Sequence, residues 1–209
     1  MFIELLRGLL VTLELFAVCW VFSIPFGLLL CFARKNSLKF FRFLIDTYIW
    51  IMRGTPLLLQ IFFLFYGLPL MFPMLQVNDR FLVGAFAFIL NYVAYFAEIF
   101  RGGLKNVDKG QFESIKVLKI PRLKAVFRII IPQMLRVCLP SICNESVALV
   151  KDTALIFSIG VIELLTTAKN IVNSSADIFA YVVAAAMYLL ICSLVNLAFK
   201  IFEKRLKFE

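Results

Sequence analysis

Long stretches without charged residues dominate the chain and predict its main structural elements. Residues 15–33, 54–78, 81–97 and 178–199 contain no Asp, Glu, Lys or Arg, and a fifth stretch, 134–162, is mostly apolar with a few charges. A helix needs about 20 apolar residues to cross the hydrocarbon core of a bilayer. We therefore predict about five transmembrane helices, at approximately residues 10–33, 54–75, 81–100, 134–162 and 178–200.

The composition agrees with lipid as the main solvent. Of the 209 residues, 63% are hydrophobic and 17% are charged, whereas soluble domains average about 45–50% and 25%. We expect an all-α integral membrane protein with one transmembrane domain over residues 1–209. The first stretch lacks the basic flank and the small-residue cleavage site of a signal peptide, so we expect it to remain as an uncleaved anchor.

The 22 Lys and Arg residues are distributed unevenly among the segments that connect the predicted spans. If the N-terminus lies outside, 18 of them fall in inner segments, with Lys207 among the last, and the outer segments hold Arg7, Arg80, Lys151 and Lys169. Basic segments are retained on the cytoplasmic side. This bias predicts an N-out, C-in topology, and it explains the net charge of +9 without a nucleic-acid partner.

Several chemistries lack the residues they require. The chain has no histidine, which argues against Ser-His-Asp triads, Cys-His nucleophiles and His-ligated metal sites. Its five cysteines lie in apolar stretches without C-x-x-C spacing, as buried hydrophobic residues do. No G-x-x-x-x-G-K-[ST] segment is present, so ATP hydrolysis would need a separate chain. We expect no cofactor and no metal in this chain.

Ionisable residues inside a predicted span are candidate functional residues, because each costs at least about 2.5–3.5 kcal/mol at the bilayer centre. Glu145 and Asp152 are seven residues apart and share a helix face with Ser141 if the helix is unbroken. Two carboxylates on one face could hold an ammonium or guanidinium group. In the alternative interpretation, Glu145 only neutralises Arg136 or Lys151, and Asp152 caps a helix at the outer surface.

A second polar face is predicted on the third span. Asn91, Tyr95 and Glu98 follow the i, i+4, i+7 spacing of one helix face and could form the opposite wall of a cavity. Alternatively, Glu98 forms a helical ion pair with Arg101, and Tyr92 and Tyr95 serve only in packing or at the membrane interface.

The longest polar segment, residues 101–128, combines basic residues with apolar ones at helical spacing. It predicts a short amphipathic helix pair. Gly102 and Gly103 end the preceding span, and Pro121 breaks the pair or starts its second helix. Such helices can lie on the anionic inner leaflet or bind a cytoplasmic partner.

This segment resembles the cytoplasmic signature of the permease subunits of bacterial ATP-binding-cassette importers. The signature is E-A-A, three residues, Gly, nine residues and I-x-L-P. Here Glu113-Ser114-Ile115 is followed by Lys119 at the glycine position and by Ile129, Ile131 and Pro132 in register. Other segments are similar to the polar amino-acid branch of that family: 53–58, 94–103, 139–140, 144–145, 151–153 and 159–164. Within the first of these, Thr55 and Pro56 predict the N-cap and the first residue of a helix.

The resemblance implies a type I ABC importer permease fold, paired as a homo- or heterodimer in the bacterial cytoplasmic membrane. It implies a permease subunit, not an enzyme, that passes an amino acid into the cytoplasm. The implied partners are a second permease chain, two ATP-binding-cassette ATPase subunits that would carry ATP and Mg, and an extracytoplasmic solute-binding protein.

Two groups of site residues follow from the pattern and the resemblance. The resemblance implies a cytoplasmic coupling loop over residues 101–133, whose coupling helix would dock on the ATPase. Its geometry would be altered because Ser114-Ile115 and Lys119 replace smaller residues, and Pro121 could make the turn instead. Its predicted members are Gln111, Phe112, Glu113, Ser114, Ile115 and Lys119. The predicted substrate pathway comprises Glu145, Asp152, Ser141, Asn144, Asn91, Tyr95 and Glu98.

Three other functions are alternatives to the permease interpretation. An ion-coupled secondary transporter could use Glu145, Asp152 and Glu98 for proton or sodium coupling, although no inverted repeat is visible in the sequence. A membrane-embedded enzyme would need a nucleophile arrangement that the chain does not display. A structural scaffold would leave the two polar faces unexplained.

Overall fold

The computed structural model describes residues 1–206, and all regular structure in that part of the chain is helical. The last three residues, which include the Lys207 counted for topology and the predicted end of the domain, lie outside the described residues. The α-helices in chain order are α1 (Phe2–Asn36), α2 (Lys39–Gly54), α3 (Leu57–Phe62), α4 (Leu68–Met71), α5 (Arg80–Lys105), α6 (Lys109–Val117), α7 (Arg122–Ala125), α8 (Ile131–Asp152), α9 (Leu164–Ser175) and α10 (Phe179–Leu206).

Tighter and wider helical turns join some of these helices into longer units. A π-helical turn, Phe63–Gly67, connects α3 to α4, and a second one, Val126–Ile130, connects α7 to α8. A 3₁₀ helix, Thr153–Ile159, extends α8, and a short one, Pro73–Leu75, follows α4.

Four units are long and apolar enough to cross a membrane: Phe2–Lys35, Arg80–Lys105, Arg122–Ile159 and Phe179–Arg205. A fifth span is formed if α2 and Leu57–Met71 are counted together, and these two are bent by 109° relative to one another. The predicted all-helical class and the predicted number of spans agree with this architecture.

The bend between α2 and α3 corrects the prediction for Thr55 and Pro56. Thr55 does not cap α3: it follows the end of α2, and its hydroxyl donates to the Ile51 carbonyl at 2.9 Å. Pro56, predicted as the first helical residue, occupies the N-cap position of α3 instead. The residue before a proline is driven into the extended region, and Thr55 has ψ 148°, so the helix cannot continue through it.

Three segments outside the predicted spans are helical, the third being α9. The first is α2, an amphipathic helix whose charged residues interrupt its apolar run. The Tyr48 hydroxyl links α2 to α5 by donating to the Leu90 carbonyl at 2.5 Å. The second is the end of the predicted coupling loop, residues 101–133, where the second helix of the predicted pair begins at Arg122 and runs into α8. Pro132 does not break this helix because the π-helical turn before it widens the backbone where the ring would meet a carbonyl.

The core forms where α1 packs along α5. Gly27 lets the two helices approach, because a Cβ added there would lie 2.7 Å from Cβ of Phe96. Along the same face of α5, the rings of Phe88, Tyr92, Phe96 and Phe100 follow one another at i, i+4 spacing, with centroids 6.3–6.4 Å apart. These four side chains are fully buried and form a continuous aromatic ladder inside the protein.

The α5–α8 contact depends on Gly103. A Cβ at this position would collide with the Cys138 thiol and lie 3.1 Å from the Met134 carbonyl oxygen. At its neighbour Gly102, the same added atom would have no other atom of residues 1–206 within 4 Å. Two adjacent helical glycines therefore have opposite packing environments.

This difference predicts opposite stability effects for two Gly→Ala substitutions. Gly103→Ala should lower the free energy of unfolding by about 1–3 kcal/mol, because the added methyl overpacks the contact. Gly102→Ala should be neutral or raise it by up to about 1 kcal/mol, because alanine is the better helix former. Thermal unfolding in detergent measures both.

The double variant Gly103→Ala/Cys138→Ala serves as the control. It should recover part of the lost stability, because it removes the thiol that the methyl meets. Equal melting temperatures for the two single variants would contradict the proposed close contact.

Candidate functional site

A tyrosine of α5 contacts the predicted polar face of α8, but it does not belong to the predicted polar face of α5. The Tyr92 hydroxyl donates to Oδ2 of Asp152 at 2.7 Å, although Tyr92 is only 1% exposed and belongs to the aromatic ladder. Asp152 is the last residue of α8, yet it accepts no capping hydrogen bond from the 3₁₀ helix that follows. The helix-capping alternative for Asp152 is therefore wrong, and the carboxylate faces α5.

Glu145 lies two helical turns before Asp152 on the unbroken α8, roughly 10 Å along its axis. It is half-buried and makes no hydrogen bond or ion pair within residues 1–206, so the alternative pairing with Arg136 or Lys151 is absent there. Its charge repels that of Asp152 and attracts Arg53. Glu145 is therefore a carboxylate inside a membrane span that is available to a ligand.

The other two predicted α8 residues lie apart from this pair. Ser141 is exposed. Asn144 is also exposed and lines a cavity of about 200 Å³ between α8 and α10, together with Asn196 and Glu203. The structure therefore brings Asn144 to α10 and not to the α5 face.

Asn91 supports the backbone at the α2–α3 bend. Its side-chain amide donates to the Met52 carbonyl and to Oε1 of Gln60, both at 3.0 Å. The Gln60 amide in turn donates to Met52 and to both oxygens of Thr55, at 2.8–3.2 Å. Because Asn91 is only 4% exposed, both amides satisfy carbonyls that the bend frees from the helical ladder.

Glu98 holds three arginines at one end of the protein. It forms an ion pair with Arg101, as one of the two interpretations predicted, and Nη1 atoms of Arg34 and Arg53 lie 3.1 Å and 4.0 Å from its carboxylate. These cations come from α1, α2 and α5, so one carboxylate joins three helices. The Arg53 guanidinium also lies over the Tyr95 ring, 5.3 Å from its centroid.

The predicted coupling helix corresponds to α6, and its residues divide into two groups. Phe112 and Ile115 pack against the core, and Gln111 accepts a hydrogen bond from Gln133 of α8 at 3.3 Å. Glu113 and Ser114 are exposed. The structure therefore presents a small polar surface on a helix whose apolar side is held by the protein.

The turn after α6 is made at Lys119, and the alternative that Pro121 makes it is wrong. Lys119 has φ 47°, in the left-handed region. The Ile120 amide donates to the Ile115 carbonyl and the Lys119 amide to Lys116, both at 3.1 Å. This is a Schellman C-cap, whose left-handed position favours glycine, whereas Pro121 is the N-cap of α7.

Glu163 is a further polar residue with a clear structural role that was not predicted as a site residue. Glu163 is fully buried and caps α9, accepting from the amides of Leu165 and Thr166 at 2.7 Å. The Tyr188 hydroxyl of α10 donates to it at 2.8 Å. The signal available in the sequence was the carboxylate three residues before Thr166, at the start of a helix that the hydropathy pattern left as a loop.

Among residues 1–206, no group of three or more Cys, Asp or Glu side chains is arranged to hold a metal ion.

Residues 23–208 match the family described as the binding-protein-dependent transport system inner membrane component. The chain belongs to this family. Its members are transport components, so the chain is a membrane permease subunit and not an enzyme. The L-cystine transport system permease protein TcyB of Bacillus subtilis (strain 168) is 35% identical to it over 202 residues, which cover 95% of this chain and 85% of that protein.

Solved structures have the same fold. A crystal structure of an amino acid ABC transporter with histidines matches with a TM-score of 0.86 and 31% identity, covering 97% of this chain and 94% of the other. An inward-facing structure of the MetNI methionine ABC transporter matches with a TM-score of 0.83 over 100% and 98% of the two chains, and at 15% identity it shows the fold alone. The predicted type I importer permease fold is thereby confirmed.

The Schellman turn predicts an unusual benefit from a glycine substitution. Lys119→Gly should stabilise α6 locally by about 1 kcal/mol, because glycine adopts the left-handed conformation without a steric cost. Amide hydrogen exchange should then slow by roughly fivefold across α6.

Lys116→Gly, inside the same helix, is the matched control. It should accelerate exchange by a similar factor, because glycine disfavours a helix interior. Faster exchange in Lys119→Gly would argue against the left-handed turn.

Proposed function

We propose that this chain is the membrane permease subunit of an ATP-driven importer that passes an amino acid into the cytoplasm. The observation that carries the proposal is the match to an amino acid ABC transporter, at 31% identity over 97% of the chain. The L-cystine permease relative supports the same class of substrate. ATP and Mg are bound by partner chains, since this chain has no P-loop segment.

We propose that Glu145 binds the α-ammonium group of the substrate. Its carboxylate has no ion-pair partner among the described residues, and an unpaired carboxylate within a span is costly until a cation meets it. Arg53, whose charge attracts Glu145, is the candidate for the α-carboxylate. A zwitterionic amino acid would then bridge the two groups by charge-assisted hydrogen bonds.

The other pathway residues take supporting roles in this proposal. Asp152 is held by Tyr92 at 2.7 Å and shapes the negative end of the site, while the Tyr95 ring holds the Arg53 guanidinium. Asn91 keeps the α2–α3 bend in place, and Glu98 keeps Arg53 near the site. Ser141 and Asn144 are exposed on α8, where they would line the pathway along a second permease chain.

The proposed assembly has two permease chains, identical or related, above two ATPase subunits, with an extracytoplasmic solute-binding protein on the opposite side. The N-terminus lies outside and the C-terminus inside, as the distribution of Lys and Arg favours. In this orientation the exposed Glu113 and Ser114 of α6 face the ATPase, and the Schellman turn at Lys119 fixes the end of the docking helix.

Uptake into membrane vesicles tests this function. Vesicles that contain the chain and its co-purified partners should accumulate a labelled amino acid only when ATP and the solute-binding protein are both supplied. Mass identification of the co-purified chains should find a P-loop protein in equal amount with the permease. Uptake driven by a proton or sodium gradient without any ATPase would instead support the secondary-transporter alternative.

The proposed contact of Glu145 predicts a substrate-specific defect. Glu145→Gln should lower the apparent affinity for substrate in the ATPase assay roughly tenfold, because a charge-assisted hydrogen bond is lost, while the complex still assembles. The assay is substrate-stimulated ATP hydrolysis at increasing substrate concentrations.

Glu14→Gln, at an exposed carboxylate of α1, removes the same charge elsewhere and should behave as the wild type. Wild-type stimulation by Glu145→Gln would rule out the contact with the ammonium group.

The proposed docking of α6 predicts a defect in assembly. Ser114→Arg places a long charged side chain on the exposed side of the helix and should reduce the amount of co-purified ATPase roughly tenfold. The measurement is the ratio of ATPase to permease after affinity purification.

Asn170→Arg adds the same side chain at an exposed position of α9 and should leave that ratio unchanged. A normal ratio for Ser114→Arg would contradict docking at this surface.

A further inference from the structure

A cavity rich in basic residues lies where α1 and α5 end beside α2 and α6. Its volume is about 440 Å³, within the range of small-molecule sites. We call this cavity the basic pocket. Six of the residues that line it are cations: Arg34, Lys35, Arg42, Arg101, Lys105 and Lys109.

Most of this positive charge is uncompensated. Arg34 and Arg101 are engaged by Glu98, and Arg34 also by Asp46. Arg42, Lys105, Lys109 and Lys35 form no ion pair within residues 1–206. Cations concentrated in a concave site raise the local positive potential and attract an anion.

Lys35 connects the basic pocket to α6. Its ammonium group lies over the Phe112 ring, 4.4 Å from the centroid, and Lys109 of α6 also lines the pocket. An anion in the pocket would therefore contact charges of α1, α2, α5 and α6 together. A phosphate group, with several acceptor oxygens, suits such a set of Lys and Arg donors.

The surroundings favour a phosphate that is carried by a lipid. Leu104 and Val107 form an apolar part of the pocket wall. On α2, next to Arg42, the side chains of Phe40 and Phe41 are 67% and 56% exposed. Basic residues at the cytoplasmic end of membrane spans, flanked by exposed aromatic residues, suit an anionic head group with its acyl chains alongside.

We propose that the basic pocket binds the phosphate group of an anionic phospholipid from the inner leaflet. The leaflet assignment rests on the orientation given under the proposed function, whereas the pocket and its charges do not. The bound lipid ties α6 to the ends of α1 and α5, and so steadies the helix that meets the ATPase.

Native mass spectrometry of the purified complex in detergent tests the site. The probes are phosphatidylglycerol, phosphatidylcholine and inorganic phosphate. The pocket variant is Arg42→Gln/Lys105→Gln, and the matched control is Lys204→Gln/Arg205→Gln, which removes two exposed cations of α10. The single variant Lys105→Gln, at an exposed side chain, covers the case in which the double variant fails to assemble.

The wild type and the control should retain phosphatidylglycerol in preference to phosphatidylcholine. The pocket variant should retain roughly tenfold less, and Lys105→Gln an intermediate amount. Equal losses in the pocket variant and the control, or no loss in either, would overturn the site. Displacement of the lipid by millimolar inorganic phosphate, without preference for phosphatidylglycerol, would overturn the lipid as occupant.

Failure of the proposed orientation is distinguishable from failure of the site. Detergent leaves both ends of the protein accessible, so a reversed topology would not change lipid binding. A reversed topology would instead be detected when an impermeant amine reagent, added outside intact cells, labels the α6 lysines. That result would overturn the leaflet assignment alone.

Discussion

Backbone polar groups that enter hydrocarbon must find partners within the protein, because no water is available there. The bend between α2 and α3 interrupts a helix next to the candidate site, so backbone carbonyls there need partners outside the helical ladder. Asn91 and Gln60 meet this need by donating to the Met52 and Thr55 carbonyls. The position of Arg53 beside Tyr95 and Glu98 depends on that bend, and with it the positive side of the proposed substrate site.

The carboxylates of the membrane domain fall into two electrostatic classes. Two carboxylates have all their charge met by partners within the protein. Glu98 forms ion pairs with arginines from three helices, and Glu163 accepts hydrogen bonds from two backbone amides and a tyrosine hydroxyl. Glu145 has no comparable set of partners in the described chain. A buried charge without partners is retained at a cost, which supports a role in binding for Glu145 and structural roles for the other two.

Hydropathy predicted the fold where a helix is long and uncharged, as in α1, α5 and α10. It missed α2 and α9 because charged residues break the apolar run in α2, and Thr, Asn and Ser residues break it in α9. Helical spacing identified the face of Glu145 and Asp152, but it could not reveal that Tyr92, and not Tyr95, reaches Asp152, because that contact joins two helices 60 residues apart. The left-handed Lys119 was also beyond local rules, since its position favours glycine.

The cluster of Glu98 with three arginines has an evolutionary consequence. Three arginines from α1, α2 and α5 meet one carboxylate, so replacing a single arginine leaves the others still paired. Replacing the glutamate by a neutral residue leaves three like charges facing each other, and within residues 1–206 Asp46 remains as an acidic partner of Arg34. Among the ion-pair partners at this end of the protein, the carboxylate is therefore expected to tolerate substitution least.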